Sequence, residues 1–386
     1  MSFLRTLSTR RLAVVGIAVL LLAGGGAAIA VAAGGGGPKP PAKPLDRAIH
    51  DALVAQAPDG ITARVKFTNK LFPSGALLGT GGSALMSGAT GRLWVTNDGR
   101  GRIELQSDAG DVEVVWNASS VSLYDASTNT VYRAALPAHA PGASENGAPP
   151  ALAEIDNVLT SLGAHATISA PEPTNVAGRP AYSVSVSPKH DGGLLGSARL
   201  AWDAAHGAPL RIAIFARGSS SPVLELAVTQ ISYGSVAASD VDIKPPAGAK
   251  VVDLVAPTQD PAKGAPVTGL SAVQAAAGFP VTAPDALVGL PRQDVRLVGG
   301  ADSKAALVVY GHGLGAIIVV ERKADATQGK SAALSSLPTI SLDGISAHEL
   351  ATQLGTVLEW QRGGTSYVLA GSLPAAAAEA AARQLK

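Results

Sequence analysis

Residues Gly101–Trp116 read GRIELQSDAGDVEVVW, and this stretch decides the fold. Ile103 and Leu105 alternate with Arg102, Glu104 and Gln106. Beyond the turn signal Asp108-Ala109-Gly110, Val112, Val114 and Trp116 alternate with Asp111, Glu113 and, less cleanly, Val115. Period two on both sides of a tight turn predicts an antiparallel hairpin with one apolar face and one wet face. The same alternation extends outward from Ile61 to about Val241. Ala63, Val65 and Phe67 alternate with Arg64 and Lys66, and Val121, Leu123 and Val131 continue the pattern. Tyr182, Val184 and Val186, then Leu210, Ile212 and Ile214, then Leu224, Leu226 and Val228 repeat it. Asn97-Asp98-Gly99 and the stretches Asp125–Asn129 and Asp203–Gly207 supply the turns. The pattern is that of an antiparallel meander.

Two amphipathic helices accompany the meander. Leu45–Ala57 carries Leu45, Ile49, Ala52, Leu53 and Gln56 at helical intervals before Pro58-Asp59-Gly60, and Ala151–Leu162 places Leu152, Ile155, Val158, Leu159 and Leu162 on one face. A large curved sheet must hide its apolar face, so the economical arrangement is a half-open barrel with the helices laid across its mouth. Pro137–Pro150 reads as a loop. Gly75–Gly91 reads either as a loop at the mouth or as a plain flexible connection, with Leu71, Phe72, Leu77, Leu78, Leu85 and Met86 more apolar than solvation needs. After Pro245–Pro266, a Pro- and Gly-rich linker, the pattern becomes that of a small α+β module. It has a helix near Ser271–Ala277, extended runs at Asp294–Val298, Ala305–Tyr310 and Ala316–Arg322, a hairpin pairing Val357–Gln361 with Ser366–Ala370, and a last helix from Pro374 to Lys386.

The chain begins differently. Leu12–Ala33 is a run of 22 residues drawn only from Ala, Gly, Val, Ile and Leu, behind a head carrying Arg5, Arg10 and Arg11. As a helix it would reach roughly 33 Å, enough to cross a bilayer core. The preceding arginines favour a cytoplasmic N-terminus and an extracytoplasmic body. A cleaved secretory signal ending near Ala28-Ile29-Ala30 or Ala30-Val31-Ala32 is the alternative, and it too exports the body. The expected map is therefore a cytoplasmic head (1–11), a signal-anchor helix (12–33), a Gly/Pro linker (34–44), a half-barrel domain (45–244), a second linker (245–266) and a small α+β domain (267–386). The expected class is mainly β, and the expected location is the cell membrane, single-pass, or the exterior if the signal is cleaved.

Composition removes several functions. Thirty Lys and Arg against 29 Asp and Glu give a net charge of +1, with no clustered basic face for nucleic acid. With no cysteine there is no disulfide and no lipid-modified N-terminal cysteine. The seven histidines stand singly, His50 and His348 on predicted helix faces and the rest in loops or turns, without metal-ligand spacing. Gly311-His312-Gly313-Leu314-Gly315 lies between two apolar runs and lacks a phosphate loop's helix, so it reads as a hairpin turn. Gly81-Gly82-Ser83-Ala84-Leu85 has Leu where a nucleophile elbow needs Gly. Glu104 and Glu113 fall on the wet face, away from any paired-carboxylate geometry. No catalytic residue, metal or cofactor is expected.

The order of features resembles a known family. Gly91–Leu105 (GRLWVTNDGRGRIEL), Gly110–Trp116 (GDVEVVW) and Val121–Arg133 (VSLYDASTNTVYR) are similar to strands of the actinobacterial branch of the outer-membrane lipoprotein-carrier, LolA-like, family. Ala177–Tyr182 (AGRPAY), Trp202-Asp203 and Pro209-Leu210-Arg211 match its later strand motifs, so the resemblance covers roughly 45–250. Ala275–Leu290 and Leu354–Gly371 look like the small C-terminal domain that often follows. The resemblance implies an incomplete barrel with a helical lid and an interior that accepts acyl chains. Similar proteins carry lipids or lipoproteins, or, in the RseB-like subgroup, sense them and control an anti-sigma factor. The expected partners are therefore lipid or lipoprotein acyl chains, the cytoplasmic membrane, and an envelope transporter or anti-sigma factor. Val65, Phe67, Leu93, Ile103, Leu105, Val114, Trp116, Leu123, Ile212 and Ile214 either pack on the helices as an ordinary core or, where sheet and helices part, are the expected cavity-lining residues. A retained anchor and the absence of cysteine depart from a soluble shuttle and from a lipoprotein carrier.

Overall fold

The structure, a computed structural model, describes residues 37–71, 83–136, 151–254, 267–300, 304–324 and 337–385. The expected head, the signal-anchor helix and residues 34–36 of the first linker lie outside these residues, as do 72–82, 137–150 and 255–266. Among the described residues no helix is long and apolar enough to cross a membrane. Those up to 254, apart from 188–196, form one compact unit, and residues 188–196 group with those from 267 onward in a second.

The first unit contains α1 (Leu45–Val54), β1 (Gly60–Asn69), α2 (Ala84–Ser87), β2 (Ala89–Thr96), β3 (Gly101–Gln106), β4 (Val112–Trp116), β5 (Ser120–Asp125), β6 (Thr130–Ala135), α3 (Leu152–Gly163), β7 (Ala166–Ile168) and β8 (Glu172–Val176). It continues through β9 (Arg179–Pro188), β10 (Leu195–Asp203), β11 (Pro209–Ala216), β12 (Pro222–Tyr233), α4 (Ala238–Val241) and β13 (Lys250–Leu254). All thirteen strands join one sheet, ordered β13-β6-β5-β4-β3-β2-β1-β12-β11-β10-β9-β7, with β8 also on β9. Among the described residues the order does not close on itself. A twisted sheet of this width curls rather than lying flat, and local irregularities direct the curl. A Cβ on Gly91 would lie 1.8 Å from the Glu104 carbonyl oxygen, so β2 and β3 approach where only glycine fits. Register shifts at Arg64/Val65 and at Ile214/Phe215 add bends. The result is the curled half-barrel the alternation predicted.

Two expectations about this unit need correcting. The helices do not lie across the apolar face at the β9 end. Ala181 and Tyr182 are neighbours on β9 and so point to opposite faces. Ala181 belongs to the large apolar cluster with Val65 and Ile103, whereas Tyr182, Val184 and Trp202 pack with Leu45, Ala48 and Ala52 of α1. The Tyr182 hydroxyl also donates to the Pro41 carbonyl at 2.6 Å, tying the chain before α1 to that other face. α3 packs on α1 and β7, burying Ile155 and leaving Leu162 exposed. The reason is that Tyr182, Val184 and Trp202 make β9–β10 apolar on its second face as well, and the helices cover it there. The second correction concerns the linker read at 245–266. Its Lys250–Leu254 is a strand, paired in parallel with β6 through Val251↔Val131 and Val252↔Tyr132. Adjacent valines favour extension, and β6 offers an unpaired edge.

The second unit contains α5 (Leu270–Ala277), β14 (Ala286–Leu287), β15 (Leu290–Val298), β16 (Ala305–Tyr310), β17 (Ile317–Lys323), β18 (Thr339–Leu342), β19 (Ile345–Thr352), β20 (Gly355–Arg362), β21 (Thr365–Gly371) and α6 (Ala375–Gln384). Its sheet is ordered β14-β15-β16-β17-β21-β20-β19-β18, and Val273, Ala277, Ala378, Ala381 and Ala382 of the two helices bury against one face. The extended runs, the hairpin and both helices fall where the pattern placed them. Gly311–Gly315 is the turn between β16 and β17. His348, expected on a helix, stands instead on β19, its ring facing the Leu337 carbonyl at 3.3 Å.

Candidate apolar site and its polar end

Strand register settles which side chains share the face. Leu93 lies opposite Ile103, Ile103 opposite Val114, and Val114 opposite Leu123, which makes one row across four strands. Val65, Gly91, Leu105 and Val112 form the adjacent row. Phe67 lies opposite Leu226 and Leu226 opposite Ile212, with Ile214 facing Leu224 one step further along. Gly101 faces Trp116 in the row on the other side. Directly opposed residues point to the same side of a sheet, so all ten expected lining residues share one face. Their exposure is graded. Val65, Phe67, Ile103, Leu105, Val114 and Trp116 are at most 4% exposed, while Leu93, Leu123, Ile212 and Ile214 are half-buried.

Other residues of this face escaped the sequence reading as site residues. Ala63, Val95, Val112, Val121, Leu210 and Val228 belong to the same cluster. Ala84 of α2 is fully buried in it, and Leu85 packs against it, so the described part of the apolar Gly75–Gly91 loop touches the face. Leu71 is buried and Met86 half-buried, whereas Phe72, Leu77 and Leu78 lie outside the described residues. Gly101 explains how Trp116 fits. A Cβ there would sit 2.1 Å from the indole, so the missing side chain is the space the ring fills.

The face ends in a polar cluster. Asp203, directly opposite Ala181, is withdrawn from solvent. Its Oδ2 accepts from the Tyr233 hydroxyl at 2.8 Å and from Arg179 Nε at 3.0 Å. Its Oδ1 accepts the backbone N–H groups of Ala205 at 2.8 Å and His206 at 3.0 Å. The His206 ring stacks on Tyr233 with centroids 4.0 Å apart. Burial alone would raise the carboxyl, but Tyr233, Arg179 and the two N–H groups outweigh it and hold it at about 2. Burial, then the hydrogen bond to Asp203, pushes the Tyr233 phenol upward. Arg179 and Asp203 stand in two of the sequence motifs quoted above. Both carboxylate oxygens are saturated, so the cluster is an anchor at the end of the face, with nothing spare for catalysis.

On the opposite, wet face, Arg102 bonds Glu113 at 2.7 Å and lies over the Trp94 ring, as alternation requires. Among the described residues no group of three or more His, Asp or Glu is placed to hold a metal.

No family model and no curated protein matches the chain. Among solved structures, MucB in complex with MucA(peri) is 17% identical, covering 89% of this chain and 97% of its own, with a TM-score of 0.42. The MucA/MucB complex of Pseudomonas aeruginosa is 16% identical, covering 88% and 95%, with a TM-score of 0.43. A Vibrio parahaemolyticus domain described as an outer membrane lipoprotein-sorting protein is 11% identical, covering 52% and 96%, with a TM-score of 0.24.

Proposed function

We propose that the chain is a membrane-tethered, extracytoplasmic binding protein that holds acyl chains of a lipid or lipoprotein against the apolar face of its first unit, without covalent chemistry. The observation that carries this reading is the register, which gathers Val65, Phe67, Leu93, Ile103, Leu105, Val114, Trp116, Leu123, Ile212 and Ile214 on one face of a sheet whose strand order stays open. Burying acyl CH₂ groups supplies about 0.8 kcal/mol each, so eight carbons yield roughly 6 kcal/mol before ordering costs. The half-buried Leu93, Leu123, Ile212 and Ile214 are where a guest chain would gain contact without displacing the deepest side chains. The Leu12–Ala33 run would supply the tether. Native mass spectrometry of the gently purified full chain tests this: a lipid adduct is expected, and a clean ligand-free mass overturns it.

A second reading rests on the near-complete burial of the six central residues, which suits a face already packed as a core. In that case the protein acts by docking a membrane partner, as an RseB-like sensor acts on an anti-sigma factor. A gene pair for a sigma and an anti-sigma factor beside this one favours docking, and an envelope transporter favours carriage.

A further inference from the structure

Glu321 stands on β17, opposite Ala306 of β16 and Tyr367 of β21, on the core face of the second sheet. It is fully buried. Its Oε2 accepts the Thr282 N–H at 2.8 Å, and its Oε1 has no hydrogen-bond partner among the described residues. Thr282 lies in the stretch joining α5 to β14, whose Phe279, Val281 and Ala283 bury in the same core. Glu321 is therefore the polar pin by which β17 holds that stretch.

Among the described residues, the groups around the pin offer it no countercharge. From β16 comes Tyr310, whose buried hydroxyl is also unpartnered. From β21 comes Tyr367, its hydroxyl 3.4 Å from Thr282 Oγ1. Arg292 of β15 is committed to the Ala283 carbonyl and to Asp285 at 2.9 Å. α5 bears no titratable side chain, and Glu379 and Arg383 of α6 pair with each other at 2.8 Å. An ionised carboxylate seeks several donors, and one donor in an apolar core leaves it underserved.

We propose that Glu321 is a proton-operated latch: the neutral carboxyl holds residues 279–285 against β17, and its ionisation frees them. Burial raises the group from 4.5 to about 7, with the Thr282 N–H offsetting only part of the rise. The closed form then keeps its proton where the opened form, with Glu321 in water, has lost it. Opening becomes about tenfold easier per pH unit between roughly 4.5 and 7 and levels off above. Acid closes the latch and neutrality loosens it. The device is independent of whether the first unit carries acyl chains.

Hydrogen exchange of the purified full chain, corrected for intrinsic rates, reads the latch directly. Protection of the amides at 279–285 should fall about tenfold per pH unit from pH 5 to 7, while the β3–β4 amides of the first unit stay level. Glu321→Gln, neutral at every pH, should flatten the profile. A flat wild-type profile, or a variant as steep as wild type, overturns the proposal. If the variant does not fold, carboxyl ¹³C NMR of the glutamate-labelled wild type decides instead. One buried carboxyl titrating near 7 supports the latch, and none outside the ordinary range refutes it.

Discussion

Asp203 and Glu321 are both carboxyl groups withdrawn from water, one on each sheet, and they are displaced in opposite directions. Asp203 has four donors shared between its two oxygens, from Tyr233, Arg179, Ala205 and His206, and is held at about 2. Glu321 has one donor and an empty oxygen, and is held at about 7. Accessible surface does not separate them, since neither has any. Donor count does. A buried charge is tolerable when each lone pair is met and costly when it is not.

The largest effect that could break this contrast is Asp203→Ala. It strands the Tyr233 hydroxyl, two backbone N–H groups and the Arg179 guanidinium, and should cost the first unit about 3–5 kcal/mol in denaturant unfolding. A loss below about 1 kcal/mol would mean the cluster is decoration. Next comes the pH profile of the wild type. Glu321 has a raised folded value, so its contribution is complete below 4.5 and is lost as pH rises through about 7, about 3 kcal/mol in all. Asp203 has a lowered one, so its contribution is complete above 3.8 and is lost as pH falls through about 2, about 2 kcal/mol in all. Calorimetry across pH should show the two units weakening at opposite ends, and parallel slopes would refute the assignment.

Smaller perturbations sharpen the comparison by touching one sheet at a time. Gly101→Ala pushes a methyl into the Trp116 ring and should cost about 1–3 kcal/mol, with a change in tryptophan fluorescence, in the first unit alone. Val288 holds a left-handed φ of 43° before Gly289 at 83°, a turn that prefers Asn-Gly. Val288→Asn should therefore raise the second unit's stability by about 1 kcal/mol. Equal shifts in both units from either variant would show that they unfold as one.

The shared face of the ten residues was legible because alternation is local. Val65, Phe67, Ile103 and Leu105 reveal their face through polar or small neighbours, and the ladder carries that parity from Ile212 to Leu123. What escaped depended on other signals. The hairpin β18–β19 turns at Asp343-Gly344, both with positive φ, a dipeptide that marks a turn by itself, yet the flanking runs alternate too weakly to stand out. The face chosen by α1 escaped because its apolar stripe names no partner, and Tyr182 and Val184 read as one more set of inward residues.

The sequence by itself determined that the body is strand-rich, in two parts, with one apolar face running through most of the first. Only the tertiary structure decided that the helices cover the reverse of β9–β10, that Arg179, Asp203 and Tyr233 converge, and that Glu321 is sealed beside Thr282. The physical reason is range: period and turn chemistry act over a few residues. Whether a buried carboxyl finds donors depends on segments 24, 30 and 39 residues away, brought together by the register of the sheet.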